Sequence, residues 1–237
     1  MPTRGEPCRV AIIDNSIMPD VYRPVEHWSG ALPPESDWQA FSARRHVFPN
    51  LRHHTHVILT GSEASILEPD PWVLEEADVV REAVERGLPV LGSCWGHQLL
   101  AFALAGPEHV ARSSRPEIGW IRLRLTGDND LLGRASETPA TFSIHFDEVR
   151  DVGRAFDVLA SSEGCPIQAM QLRGRPVWGL QGHPEVDVTA ARQFLRDLAD
   201  LGFKGRDEIL EALSSPPLDS GLIHKIIPAF LRHRAPA

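Results

Sequence analysis

The residues best suited to chemistry lie in Val90 to Gln98, which reads Val-Leu-Gly-Ser-Cys-Trp-Gly-His-Gln. An apolar β-type run (Pro89, Val90, Leu91) enters a Gly-Ser-Cys-Trp-Gly turn and leaves it directly into an apolar helical run, Leu99 to Leu104. Cys94 therefore stands at a strand-to-helix elbow. Such a turn strains its central residue, is cleared by flanking glycines, and projects the side chain over the carboxyl edge of a sheet. A thiol there also sits at a helix N-terminus, whose dipole and free N–H groups favour negative charge on sulfur. A free cysteine is equally at home as a small buried hydrophobe, so the turn alone leaves that reading open.

A cysteine nucleophile needs a base that takes its proton and later returns it to a leaving amine, and a third group that fixes the base's tautomer. Gly182-His183-Pro184-Glu185 supplies both in His183 and Glu185. Two residues apart on an extended strand end, they face one side of the backbone, and Pro184 stiffens the link and biases His183 away from helix. Thr60-Gly61-Ser62 follows the apolar run Val57 to Leu59. A Gly-Ser turn at a strand's carboxyl end leaves N–H groups accessible, as an oxyanion site requires, although an ordinary loop has the same composition. The run Arg52-His53-His54-Thr55-His56 invites a metal reading, but its histidines lack both the helical i, i+4 spacing and the cysteine partners of familiar sites. It reads as a solvated lead-in to the next strand, and no metal or cofactor is expected.

The elements that must position these groups follow a strand-helix-strand rhythm. Arg9 to Asp14 is a continuous apolar run, the pattern of a parallel strand covered on both faces. Met18 to Pro34, rich in proline and glycine, reads as a loop over a site. Glu35 to Arg45 reads as a short helix and His46 to Phe48 as a short strand. Trp72 to Arg86 carries Val73, Ala77, Val80 and Val84 at helical spacing and ends at Gly87. The resulting expectation is an α/β fold with an open, mostly parallel central sheet flanked by helices. A smaller antiparallel region should follow the elbow helix: Ile121, Leu123 and Leu125 alternate with arginines, Thr141 to His145 is a strand, and Ile167 to Leu172 and Pro176 to Gln181 form a hairpin. A further helix starts near Thr189. The stripe from Leu222 to Leu231 suits core packing or a homodimer contact.

A chain of 237 residues that is 42% hydrophobic fits one large domain, read as residues 1–203, with a C-terminal helical extension over 204–237. The net charge of −8 argues against nucleic acid and anionic membranes as partners, because phosphate binding needs a concentrated positive field. The three cysteines, Cys8, Cys94 and Cys165, are too few and too scattered for a disulfide framework. The opening Met-Pro-Thr-Arg-Gly-Glu-Pro lacks the apolar stretch of a signal peptide, and no apolar run is long enough for a bilayer, so a soluble cytoplasmic protein is expected.

Together, Gly92-Ser93-Cys94-Trp95-Gly96-His97-Gln98, His183-Pro184-Glu185 and Ser143-Ile144-His145-Phe146-Asp147-Glu148-Val149 resemble, in order, the motifs of the class I (triad) glutamine amidotransferases. The resemblance covers roughly residues 9 to 200 and extends to Pro116 to Trp120 and Trp178 to Gly182, which are similar to stand-alone proteins like the glutaminase part of GMP synthase. It implies that Cys94 attacks the side-chain amide of glutamine to give a γ-glutamyl thioester, with His183 as base and Glu185 as its orienter. It further implies an oxyanion hole from the N–H groups of Gly61 and Trp95, with Gln98 and the backbone around Ile144 and His145 holding the amino-acid end. Asp147 is either a ligand or part of a structural loop. The sequence departs from the family in two respects. The oxyanion turn is Thr-Gly-Ser rather than double-glycine-proline, which makes it a natural point of control, and the stretch after Gly202, too short and without a phosphate-cradling Gly-rich motif, is not expected to be a synthetase or ATP-binding region. Three readings stand: a glutaminase feeding ammonia to a separate acceptor subunit or synthetase; a hydrolase or peptidase acting on another γ-glutamyl small molecule; and a non-catalytic regulatory module. The rim, Ile17 to Pro34 and Glu63 to Trp72, must decide between the first two.

Overall fold

A computed structural model of the chain describes residues 7–235. The Met1 to Glu6 stretch, on which the leader reading rests, lies outside the described residues. The central strands are β1 (Arg9–Asp14), β3 (His56–Leu59), β4 (Val90–Ser93) and β10 (Val177–Leu180), with β2 (Asp37–Ser42) at the edge. They run parallel in the order β2-β1-β3-β4-β10. The sheet then continues antiparallel through β9 (Ala169–Leu172), β8 (Phe156–Ser161) and the short β6 (Arg124–Leu125). A second, two-stranded antiparallel sheet pairs β5 (Val110–Arg122) with β7 (Ala140–Val149). The mostly parallel sheet and the smaller antiparallel one are those the sequence leads one to expect.

Helices on both faces make the central strands continuously apolar, because successive side chains alternate between two cores. Ile13, Val57, Leu59 and Val90 face α2 (Pro71–Glu85) and α3 (Trp95–Leu104). Val10, Ile12, Ile58 and Leu91 face α1 (Pro24–Ala31) and α6 (Ile223–Arg232), where Trp28, Ile226, Ile227 and Phe230 are buried. Burying each such side chain contributes roughly 1.5–3 kcal/mol. The stripe from Leu222 to Leu231 thus packs within the chain's own core. A third apolar cluster joins β7, through Phe142 and Ile144, to α4 (Val188–Asp200) and α5 (Arg206–Ser214).

Some local expectations are corrected. Within Met18 to Pro34 there is a helix, α1, whose Pro24 is a helix starter rather than a breaker, since its missing N–H falls among the first-turn groups that lack partners anyway. Glu35 to Arg45 holds the edge strand β2 and a short 3₁₀ turn at Ala43–Arg45, not an α-helix, because pairing with β1 overrides a local pattern that has no apolar alternation. His46 to Phe48 is no strand, and His46 takes a left-handed conformation, φ 56°. His56 is not solvated either. It is buried against Phe230 at 5.0 Å between ring centroids, and burial together with the nearby Arg234 holds it neutral, with its pKa lowered to about 4.

Candidate active site

The elbow is strained where a nucleophile would need it. Cys94 has φ 47° and ψ −105°, a left-handed backbone that a residue with a Cβ rarely adopts. The glycines on either side are steric necessities. A Cβ on Gly92 would lie 2.6 Å from the Gly96 carbonyl, and one on Gly96 would lie 2.4 Å from the Leu59 oxygen. The Cys94 N–H donates to Leu180 (2.7 Å) and the Gly96 N–H to Thr60 (3.2 Å), so β10 and the end of β3 hold the turn between them. The thiol does not stand proud of the sheet. Cys94 is 6% exposed and lines a cavity together with Tyr22, Ser62, Gln98, Phe146, His183 and Lys204.

His183 arrives on the loop after β10 and is pinned there by its own N–H, which donates to the Phe142 carbonyl of β7 at 2.7 Å. Its Nδ1 bonds Glu185 Oε1 at 2.9 Å, which leaves Nε2 as the ring nitrogen not engaged by Glu185. Burial alone would lower the pKa of this imidazole. The facing Cys94 sulfur, as an anion, and the Glu185 carboxylate outweigh burial and raise it to about 10. The site therefore favours the charged form of the His183 imidazole. Tyr22, from the segment before α1, donates its hydroxyl to the same Glu185 oxygen at 2.9 Å. Burial and the Glu185 charge push the Tyr22 phenol well above its usual range, so it remains a donor.

Behind the sulfur, the Thr60–Gly61 peptide is held by its carbonyl. The Thr60 oxygen accepts from Asn15 Nδ2 (3.1 Å) and from the Gly96 N–H (3.2 Å). In a trans peptide this turns the Gly61 N–H to the opposite side. Thr60 Oγ1 reinforces the turn by accepting from the Asn15 N–H at 2.9 Å and donating to the Gly61 carbonyl at 3.1 Å. The chain itself thus fixes the orientation of the peptide on which the sequence suggests control. Among the described residues, the N–H groups of Gly61 and Trp95 donate to no other group. Gly61 also makes room for His183, since a Cβ there would lie 2.7 Å from His183 Cε1. Glu63 ties the turn to the Tyr22 segment by accepting from the Ile17 N–H (2.9 Å) and the Ser16 hydroxyl (3.2 Å).

The remaining predicted residues are near but differently engaged. Gln98 lines the cavity and donates Nε2 to the Asp147 carbonyl at 2.7 Å. Ile144 contributes its carbonyl, 3.6 Å from Cys94 Sγ. The His145 imidazole points inward, 3.1 Å from the Asp147 carbonyl and 3.2 Å from Glu117 Oε2, so its backbone rather than its ring borders the cavity. Asp147 accepts from Ser65 Oγ (2.6 Å) and pairs with Arg112 (2.8 Å). Glu117, His145 and Cys165 have ligand atoms within 4.8 Å of one another, but the Glu117 oxygens already accept from Ser162, Gly164 and Gln168. Burial pushes the Cys165 thiol up to about 12, so it stays protonated. The trio is a hydrogen-bonded brace rather than a metal centre. Sequence reasoning put the Ile17 to Pro34 segment at the rim without singling out Tyr22, and missed Asn15 and Lys204, whose ammonium stands 4.2 Å from the Phe146 ring centroid beside the cavity.

Known proteins match both the sequence and this architecture. Residues 45–199 match the family described as Glutamine amidotransferase class-I. The chain is 33% identical over 143 residues to a glutamine-hydrolysing GMP synthase subunit of Methanothermobacter thermautotrophicus, covering 60% of this chain and 76% of that protein. The protein of the same description from Methanocaldococcus jannaschii is 34% identical over 124 residues, covering 52% of this chain and 65% of its own length. A glutamine amidotransferase structure from Thermotoga maritima superposes with a TM-score of 0.76 at 20% identity, over 96% of this chain and 98% of that one. With the family's pattern spanning most of its length and its fold matched almost end to end, the chain belongs to the class I glutamine amidotransferases.

Proposed function

We propose that this protein hydrolyses the side-chain amide of L-glutamine through a Cys94 thioester and releases ammonia for a separate acceptor enzyme. The carrying observation is the buried Cys94–His183–Glu185 array, with the Nδ1 of His183 engaged by Glu185 at 2.9 Å. In the first step the Cys94 thiolate attacks the amide carbon and forms the C–S bond. The carbonyl oxygen becomes an oxyanion that accepts from the Gly61 and Trp95 N–H groups. His183 gives its Nε2 proton to the amide nitrogen, the C–N bond breaks, and ammonia leaves. Water then attacks the thioester, His183 takes its proton, the C–S bond breaks, and glutamate departs with the thiolate–imidazolium pair restored. Gln98, with the backbone at Ile144 and His145, holds the amino-acid end of the substrate.

An acceptor in trans is supported by the description of both relatives as one subunit of a glutamine-hydrolysing synthase. The intact triad argues against a purely regulatory module. Steady-state kinetics of the purified chain on glutamine and on a set of γ-glutamyl peptides test the reading. Glutamine should be the preferred substrate, giving equal amounts of ammonia and glutamate. Fast turnover of a γ-glutamyl peptide with glutamine a poor substrate would replace it with a γ-glutamyl hydrolase.

A further inference from the structure

Glu185 carries one hydrogen-bond donor more than a cysteine–histidine–glutamate array requires. Its Oε1 accepts from both His183 Nδ1 and the Tyr22 hydroxyl, each at 2.9 Å, while its Oε2 is buried without a partner among the described residues. Tyr22 is the chain's one tyrosine and only 4% exposed. Its ring is clamped edge-on against His183 at 5.6 Å and stacked on Phe194 at 5.4 Å, so the hydroxyl has little freedom to leave.

We infer that Tyr22 is a positioning residue of the proposed reaction, its hydroxyl sharing Glu185 with His183 and thereby fixing how strongly that carboxylate holds the imidazolium. The inference rests on the hydrolase reading above. A carboxylate that accepts two donors on one oxygen offers less negative charge to each. With the Tyr22 hydroxyl in place, His183 keeps its orientation but is held less tightly as the cation, so it gives up its proton to the leaving amine more readily. The other titratable groups facing this cluster are Cys94, Glu63 on the oxyanion turn, and His27 on α1, 6.2 Å from the Tyr22 ring. Glu63 also holds the backbone at Ile17, five residues before Tyr22, so the same segment touches both the oxyanion turn and the base.

Tyr22→Phe isolates the hydroxyl, because the ring contacts to His183 and Phe194 remain. Two readouts on the full chain are needed. The first is the titration of the His183 imidazole by NMR, assigned with His183→Gln, which requires no turnover. The second is the pH profile of glutamine hydrolysis. In Tyr22→Phe the His183 midpoint should move up by roughly half a pH unit or more, because the carboxylate has lost a competing donor. The alkaline limb of kcat should move with it, and kcat should fall on the order of tenfold with KM little changed. An unmoved His183 midpoint in a folded Tyr22→Phe protein overturns the inference, even if kcat falls. Absence of glutamine hydrolysis in the wild type would overturn the hydrolase reading instead, and the NMR titration would still decide the role of the hydroxyl. Should Tyr22→Phe fail to fold, Tyr22→3-fluorotyrosine, which makes the phenol a stronger donor, must move the His183 midpoint down for the inference to stand; a midpoint that rises or stays put overturns it.

Discussion

Gly61→Ala is the most informative single substitution, because its consequence follows from distances alone. The new Cβ would stand 2.7 Å from His183 Cε1 and 3.1 Å from the Tyr22 hydroxyl, whereas ordinary contact begins at 3.4 Å, so about 0.7 Å must be found. The backbone at Gly61 lies outside the left-handed region, so the added methyl brings no torsional strain of its own. His183 cannot yield without loss, since its N–H is fixed to Phe142 at 2.7 Å and its Nδ1 to Glu185 at 2.9 Å. Tyr22 is likewise held by Glu185. A displacement of this size at a reacting group costs on the order of 10²-fold in rate. Crowding of this kind destabilises by roughly 1–3 kcal/mol, a few degrees in melting temperature for a chain of this length. We therefore expect kcat for glutamine to fall about 100-fold while circular dichroism and cooperative melting are retained. Turnover within about twofold of wild type would mean that Gly61 does not abut the working position of His183, and the assignment of base and oxyanion turn would have to be withdrawn.

Other expectations follow from the same geometry. Asn15→Leu removes one of two donors to the Thr60 carbonyl and should lower kcat about tenfold or more with KM unchanged, as measured by steady-state kinetics. Lys204, beside the cavity on the Phe146 ring, is positioned to meet a substrate carboxylate, so Lys204→Met should raise KM for glutamine about tenfold and leave kcat alone. The His183 pKa is raised from 6.5 unfolded to about 10 folded, so its contribution to stability is complete below pH 6.5 and disappears as pH rises through 10. Denaturant midpoints of wild type and His183→Gln should therefore differ most near pH 6 and converge toward pH 10, and a constant gap would contradict the charged imidazole.

The parts of the site legible in the sequence are those whose chemistry and geometry share one short segment. The elbow could be read because an apolar strand, two glycines and a helix pattern all bear on Cys94, and each glycine proves sterically required. His183 and Glu185 were readable because a strand end and a proline place them on one side of the backbone. Tyr22 and Lys204 reach the cavity, and Asn15 the carbonyl of Thr60, from segments that are distant in sequence and carry no motif, so only the folded chain singles them out. The flanking errors have the same origin. Pro24 opens a helix whose burial comes from Trp28 against the sheet and α6, and β2 is an exposed edge strand fixed by its register with β1 rather than by its own pattern.

The central claim, that Cys94 is the nucleophile of a glutamine hydrolase, is tested most directly by treating the intact protein with a chloroketone analogue of glutamine. Peptide mass mapping then locates the adduct, and residual glutaminase activity is measured in parallel. The expected result is one adduct per chain on Cys94, loss of turnover in proportion to labelling, protection by glutamine, and neither labelling nor turnover in a folded Cys94→Ala protein. Turnover retained by Cys94→Ala, or inactivation with the label on Cys8 or Cys165, would contradict it.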